Sequence, residues 1–163
     1  MQTSSDSPIV LLGARILSPY IMMFGLYVIF HGHYSPGGGF QGGALLAASV
    51  LLMRVASGSR TSNLLLDEAV TTPMGVVGVL IYFGTGLVAL LAGGEFLDYG
   101  ALPIPGMSPE YLRYTGILII EIGVGLAVMA VLVQIYDRMV AGERGAGTFR
   151  HPADSAETRE EDA

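Results

Sequence analysis

Four long apolar runs constrain this chain more than any other feature of its sequence. Each run approaches or exceeds the roughly 20 residues that an α-helix needs to cross about 30 Å of hydrocarbon. Only 13% of the residues are charged, against about a quarter in an ordinary soluble domain. We therefore predict an all-α membrane protein with about four transmembrane helices. The predicted spans are residues 9–30, 39–56, 73–94 and 114–136, within one membrane domain at residues 9–137.

The segments outside these runs are polar. We predict that residues 1–8 form a short N-terminal cytoplasmic segment, and that residues 138–163 form an acidic, mobile cytoplasmic tail, because their composition buries little apolar surface. The chain has no lysine, and its arginines cluster on one side of the predicted membrane domain. The positive-inside rule places that side in the cytoplasm, so we expect a multi-pass protein of the cell membrane with both termini cytoplasmic. The arginines that follow the second and fourth spans are Arg54, Arg60, Arg138, Arg144, Arg150 and Arg159.

Composition also excludes several classes of function. The chain has no cysteine, which removes disulfides and thiolate metal sites. A net charge of -6 without a basic cluster argues against a nucleic-acid partner. Gly37, Gly39 and Gly42 match the dinucleotide pattern G-x-G-x-x-G, but a strand must precede that motif, and here a membrane span follows it. We predict no enzyme activity, no catalytic residue and no cofactor.

The start of the third span has its own local signal. Thr71 and Thr72 precede Pro73, an order typical of a helix N-cap followed by proline in the first turn. We therefore place the beginning of the third helix at this proline.

The densest motif lies between the first two spans. Gly39, Gly43 and Ala47 are spaced four apart, which gives the second helix a stripe of small residues for close helix packing. Two interpretations remain open: a tight turn that allows close packing, and a direct part in an ion path. The motif consists of His31, His33, Ser35, Pro36, Gly37, Gly38, Gly39, Phe40, Gln41, Gly42 and Gly43.

His31 and His33 carry the titratable groups of this motif. Neutral imidazoles bind zinc and similar ions well, but no carboxylate is near in the sequence and the third histidine, His151, lies in the tail. We predict no metal site. Hydrogen bonding within the loop is one role for these histidines, and proton handling is the other.

Glu121 is the most informative residue outside the motif. It lies about 10 Å inside the predicted fourth span, where an ionisable group is costly and faces a bundle interior, a partner or water. It acts either as a protonated group bonded to a backbone carbonyl or as a proton or cation relay. Arg15 is an obvious partner, but we expect the two to differ in height by about 13 Å. Arg15 then either snorkels to the interface or pairs with another subunit. The candidates for an ion path are Glu121, His31, His33 and Arg15.

The segments GLYVIFHGHYSPGGGFQGG and EIGVGLAV resemble the B subunit of the Mrp-type multisubunit cation/proton antiporters, the MnhB-like family. The resemblance covers roughly residues 10–137 and carries over the motif positions from His31 to Gly43, together with Glu121. It implies a small membrane subunit that works beside large antiporter-like subunits and other small membrane subunits, in a complex that exchanges cytoplasmic Na+ for external H+. Arg15 and the acidic tail lie outside this pattern.

Related segments also occur in the large A subunit and in membrane-bound hydrogenase and sulfane reductase complexes. The alternative function is therefore a structural scaffold subunit in such a complex, with Glu121 buried and inert. A free-standing transporter is disfavoured, because four glycine-rich helices with one deep carboxylate offer few ligands, and no inverted repeat is visible.

Overall fold

The computed structural model describes residues 7–32, 37–57 and 66–146. Within these ranges the chain is helical and contains no strand, and four of its helices are long and apolar enough to cross a membrane. The prediction of an all-α fold with four such helices is confirmed. The helices are α1 (Pro8–His31), α2 (Gly39–Ser57), α3 (Glu68–Leu91) and α4 (Pro109–Ala146), and a short 3-10 turn at Tyr99–Ala101 lies between the last two.

The beginning of α1 follows ordinary capping rules. Ser7 is the N-cap residue in extended conformation, and Pro8 occupies the first turn, where its missing N–H costs little. The carbonyl of Ser7 accepts the hydrogen bond from the N–H of Leu11 at 3.2 Å. Pro19 lies inside the helix, which remains continuous to His31.

The predicted start of the third helix is wrong. α3 begins at Glu68, and the backbone N–H of Thr71 already donates to the carbonyl of Asp67 at 3.0 Å. Thr71 is therefore a helical residue, fully buried, and not part of a cap. Pro73 lies in the second turn, so the carbonyl of Ala69 receives no hydrogen bond from it.

The fourth helix extends beyond the predicted membrane span at both ends. It begins at Pro109 and ends at Ala146, about 57 Å at 1.5 Å per residue. Glu110 in its first turn interacts favourably with the helix dipole. Residues 138–146, assigned to the tail from their composition, continue the helix, and the boundary of the membrane domain at residue 137 stays a prediction. Residues 1–6 and 147–163 lie outside the described residues, so mobility of the tail stays a prediction.

The helices pack in the order α1, α2, α4, α3, and among the described residues α1 and α3 do not touch. Ser18 donates to the carbonyl of Ser49 across the α1–α2 seam and Gly25 lies against Gly42, so these helices are antiparallel. α2 and α4 run parallel, since Gly39 lies against Glu121 and Gly43 lies against Gly125. α3 is antiparallel to α4. Two hairpins, α1–α2 and α3–α4, are thus joined along the α2–α4 seam.

The main core lies where α1, α2 and α4 meet. It contains Ile29, Leu46, Val50, Met129 and Val133. A second, smaller cluster fixes the α3–α4 connection, where Leu102 packs against α3 and α4. Most large side chains on α1 and α3 remain exposed and apolar, as expected for surfaces that face lipid or other subunits.

Candidate functional site

Glu121 and the α1–α2 turn, which the sequence presents as separate signals, lie together in the structure. A Cβ added at Gly39 would collide with the backbone of Glu121, lying 3.0 Å from both its Cα and its carbonyl carbon. The first turn of α2 therefore rests directly on α4 at this residue. The carboxylate of Glu121 extends under the turn, and its Oε2 atom is enclosed.

Two glycines enclose this carboxylate. A Cβ at Gly32, just past the end of α1, would lie 2.5 Å from Oε1 of Glu121 and 2.5 Å from Cα of Gly38. Gly38 has φ +123°, a conformation that only glycine adopts without strain, and a Cβ there would lie 3.2 Å from Oε1. The carboxylate of Glu121 thus occupies the space that a side chain would fill if either glycine were replaced by another residue.

Gly42 and Gly43 face opposite neighbours. A Cβ at Gly42 would lie 2.7 Å from the carbonyl oxygen of Gly25 on α1, and one at Gly43 would lie 2.6 Å from the carbonyl oxygen of Gly125 on α4. α2 is therefore held between two helices at backbone contact, the close approach that small residues allow. Ala47, the next residue of the stripe, is buried.

The remaining motif residues divide into exposed and undescribed ones. Nδ1–H of His31 donates to the carbonyl of Tyr27 at 3.1 Å, and the two rings stack with centroids 4.1 Å apart. Gly37, Phe40 and Gln41 are exposed at the start of α2. His33, Ser35 and Pro36 lie outside the described residues, so their predicted roles stay predictions.

Arg15 is far from this site. It is exposed on α1, and the helix from Arg15 to His31 rises about 24 Å. The separation in height from Glu121 is therefore larger than the sequence-based figure, because α1 ends at the level of the carboxylate. The structure does not bring Arg15 and Glu121 together.

Sequence reasoning missed an ion pair at the opposite end of α2. Arg54 is 2% exposed, forms a salt bridge with Asp137 of α4, and donates to the carbonyl of Leu66 ahead of α3. In the sequence Arg54 served only to indicate orientation, and Asp137 only marked the end of a span. The signal was available, because both residues interrupt apolar runs at the same predicted level.

The structure offers no obvious metal site in the parts it describes. Within residues 7–32, 37–57 and 66–146, no three His, Asp or Glu side chains gather in a geometry suited to a metal ion. The chemistry available at the α1–α2 turn is thus one deep carboxylate, the backbone of a glycine-rich turn and a neighbouring histidine.

Residues 9–134 match a family described as a domain related to the MnhB subunit of the Na+/H+ antiporter. The chain belongs to this family. The matched region contains α2, α3, nearly all of α1 and α4 as far as residue 134, together with the glycine turn and Glu121. Family membership therefore covers the whole of the site described above.

Individual relatives agree with this assignment. The B subunit of the Na(+)/H(+) antiporter of Alkalihalophilus pseudofirmus is 31% identical over 130 residues, which cover 74% of this chain and 88% of the relative. The corresponding protein of Bacillus subtilis is 32% identical, with coverage of 74% and 84%. A Methanocaldococcus jannaschii protein is 34% identical over 76% of this chain, but the match spans only 48% of that protein.

A solved structure shares the fold. It is a chain of the membrane-bound sulfane sulfur reductase, an archaeal respiratory membrane complex, with 31% identity and a TM-score of 0.68. The alignment covers 85% of this chain and 60% of that one. Domains similar to this chain therefore occur both as most of a short subunit and as part of a longer chain.

Proposed function

We propose that this chain is a non-enzymatic membrane subunit of a multisubunit complex that exchanges Na+ or another monovalent cation for H+. Family membership over residues 9–134 and the similarity to antiporter B subunits along most of their length support this function. We place the chain in the cell membrane with both termini in the cytoplasm, beside large antiporter-like subunits and other small membrane subunits.

The observation that carries a direct part in the ion path is the position of Glu121. Its carboxylate lies on the membrane-spanning helix α4 and is enclosed by Gly32 and Gly38. A carboxylate in such surroundings is neutralised only by binding a proton or by pairing with a cation. We propose that Glu121 relays protons or cations, and that His31 exchanges protons at the end of α1.

Replacing Glu121 by Gln tests the relay. Glu121→Gln preserves the size of the side chain and removes its charge, so the complex should assemble while Na+-dependent proton exchange in vesicles falls at least about tenfold. Glu110→Gln is the matched control, because Glu110 is an exposed residue in the first turn of the same helix. Normal exchange by an assembled Glu121→Gln complex would contradict the relay and leave Glu121 with a packing role.

The second candidate function is a scaffold in an electron-transfer membrane complex. The fold shared with a chain of a sulfane sulfur reductase favours it. Purification of the intact complex and identification of its subunits distinguishes the two functions: redox subunits with bound iron would support the scaffold, and antiporter-like subunits alone would support cation exchange.

A further inference from the structure

The first helix carries a regular stripe of exposed residues on the side that α2 leaves uncovered. Gly13, Leu17, Tyr20, Phe24 and Tyr27 follow one another at alternating spacings of four and three residues, the repeat that turns one face of a helix toward a second helix. The four large side chains are 53–63% exposed, and a Cβ added at Gly13 would meet nothing within 4 Å. We call these five residues the tyrosine face of α1.

Tyr20 lies near the middle of the helix. It follows Pro8 by about 18 Å and precedes His31 by about 17 Å along the helix axis. The hydrogen bond from Ser18 to the carbonyl of Ser49 shows that α2 passes the same level. A tyrosine side chain is shorter than the distance to either end of α1, so the hydroxyl of Tyr20 stays inside the apolar layer.

The two tyrosine hydroxyls of this face have no hydrogen-bond partner in the described part of the chain. The ring of Tyr27 stacks on Phe24, with centroids 6.2 Å apart. Tyrosine is favoured at the membrane–water interface, where its ring is in an apolar layer and its hydroxyl is in water. An unpaired hydroxyl in hydrocarbon is costly, and lipid tails offer no acceptor. The tyrosine face therefore needs a polar partner from another protein surface.

The exposed middle of α3 has no such requirement. Its most exposed side chains include Val79, Leu80 and Phe83, which suit contact with lipid tails. Its tyrosine, Tyr82, is only 39% exposed, and it has a polar neighbour in the same chain: burial and, to a smaller extent, the nearby Tyr82 raise the pKa of Tyr99. The need for an outside polar partner is therefore greater on α1 than on α3.

We propose that the tyrosine face of α1 docks onto a transmembrane helix of another subunit. That helix presents hydrogen-bond acceptors at the levels of Tyr20 and Tyr27, and small residues opposite the aromatic rings, because interhelical hydrogen bonds and close packing are what hold helices together in lipid. Gly13 allows the two backbones to approach closely at one end of the face. The inference rests on the proposed function in one respect, that the chain works within a multisubunit complex.

Photo-cross-linking in the purified complex identifies what covers this face. The photoreactive amino acid p-benzoylphenylalanine replaces Phe24, and in the matched control it replaces Phe83, which is about equally exposed on α3. Position 24 should cross-link to one other subunit, identified by mass spectrometry, in higher yield than position 83. Cross-linking of position 24 to lipid alone, or to a second copy of this chain, would overturn the proposal.

Removal of one oxygen atom tests the hydroxyl itself. Tyr20→Phe should weaken binding of the chain to its partner subunits in micelles about threefold, the effect of one hydrogen bond between membrane helices, and the double variant Tyr20→Phe/Tyr27→Phe about eightfold. Tyr82→Phe is the control and should leave binding unchanged. If Tyr20 faced lipid, Tyr20→Phe would leave binding unchanged or strengthen it, because phenylalanine has no hydroxyl to desolvate; either result would overturn the proposal.

Neither measurement depends on ion movement. Tyr20→Phe should also leave the unfolding of the isolated chain unchanged, which separates a loss of docking from a loss of folding. A complex that docks through α1 and does not exchange cations would contradict the proposed function alone. A complex that exchanges cations while position 24 cross-links only to lipid would contradict the docking surface alone.

Discussion

A single added methyl group at Gly43 should weaken the seam that joins the two hairpins. In Gly43→Ala the new Cβ would lie 2.6 Å from the carbonyl oxygen of Gly125, 2.9 Å from its Cα and 3.1 Å from its carbonyl carbon. All three are backbone atoms of α4, so no side-chain rotation relieves the overlap. Ordinary contact begins at 3.4 Å, so α2 and α4 must separate by about 0.8 Å at this point.

Overpacking of this kind lowers the free energy of unfolding by about 1–3 kcal/mol. The matched control is Gly84→Ala on α3, where an added Cβ meets nothing within 4 Å. That substitution should stabilise the chain by about 0.5–1 kcal/mol, because alanine loses less backbone entropy than glycine in a helix. The two variants differ by the same methyl group and are expected to shift stability in opposite directions.

The measurement is unfolding of the purified chain in mixed micelles by a denaturing detergent, followed by circular dichroism. Co-purification with partner subunits provides a second readout, since a separated seam changes the position of one hairpin relative to the other. A Gly43→Ala chain as stable as Gly84→Ala would refute this reasoning, because α2 and α4 would then have moved apart without a measurable loss of stability.

Three further substitutions test other contacts, each by the same unfolding measurement. Asp137→Asn should lower the free energy of unfolding by about 3 kcal/mol, because it removes the salt-bridge partner of the buried Arg54. The double variant Arg54→Met/Asp137→Leu should recover most of that loss, because it removes both charges. A double variant as unstable as Asp137→Asn would contradict this. Gly38→Ala should cost about 1–3 kcal/mol from its positive φ, and an unchanged stability would show that the turn adopts another conformation. Ser18→Ala removes a 2.9 Å hydrogen bond to the carbonyl of Ser49 and should cost only about 0.6 kcal/mol; a loss above about 2 kcal/mol would mean that the hydroxyl has a further role.

The presence of the four helices was predictable because it follows from composition. The positions of the helix ends were less predictable. Apolar length alone indicated four spans, since hydrocarbon admits a helix of that length and little else. The start of α3 was misplaced because Thr71 and Thr72 before Pro73 imitate a cap, while the helix already begins at Glu68. α4 extends past the predicted end of the fourth span at residue 136, because a helix continues readily once it leaves the membrane.

The candidate site was likewise predictable only in part. Glycine spacing indicated close packing around Gly39 and Gly43, and the depth of Glu121 marked it as unusual. Periodicity along one helix, however, does not reveal which neighbour each face contacts. The sequence-based estimate assumed that α1 spans the same height as α4, whereas α1 ends beside the carboxylate of Glu121, so the distance of Glu121 from Arg15 was underestimated.

The sequence by itself determined the solvent, the helical class and the family of this protein, because apolar length, sparse charge and the motif from His31 to Gly43 are properties of the chain read in order. Tertiary structure alone decided that α2 runs parallel to α4. That parallel packing places Gly39 on Glu121 and Arg54 on Asp137, and so fixes the register of the α1–α2 hairpin against α4, which neither segment specifies. The physical reason is that helix register is set by contacts between helices, which no local pattern along one helix records.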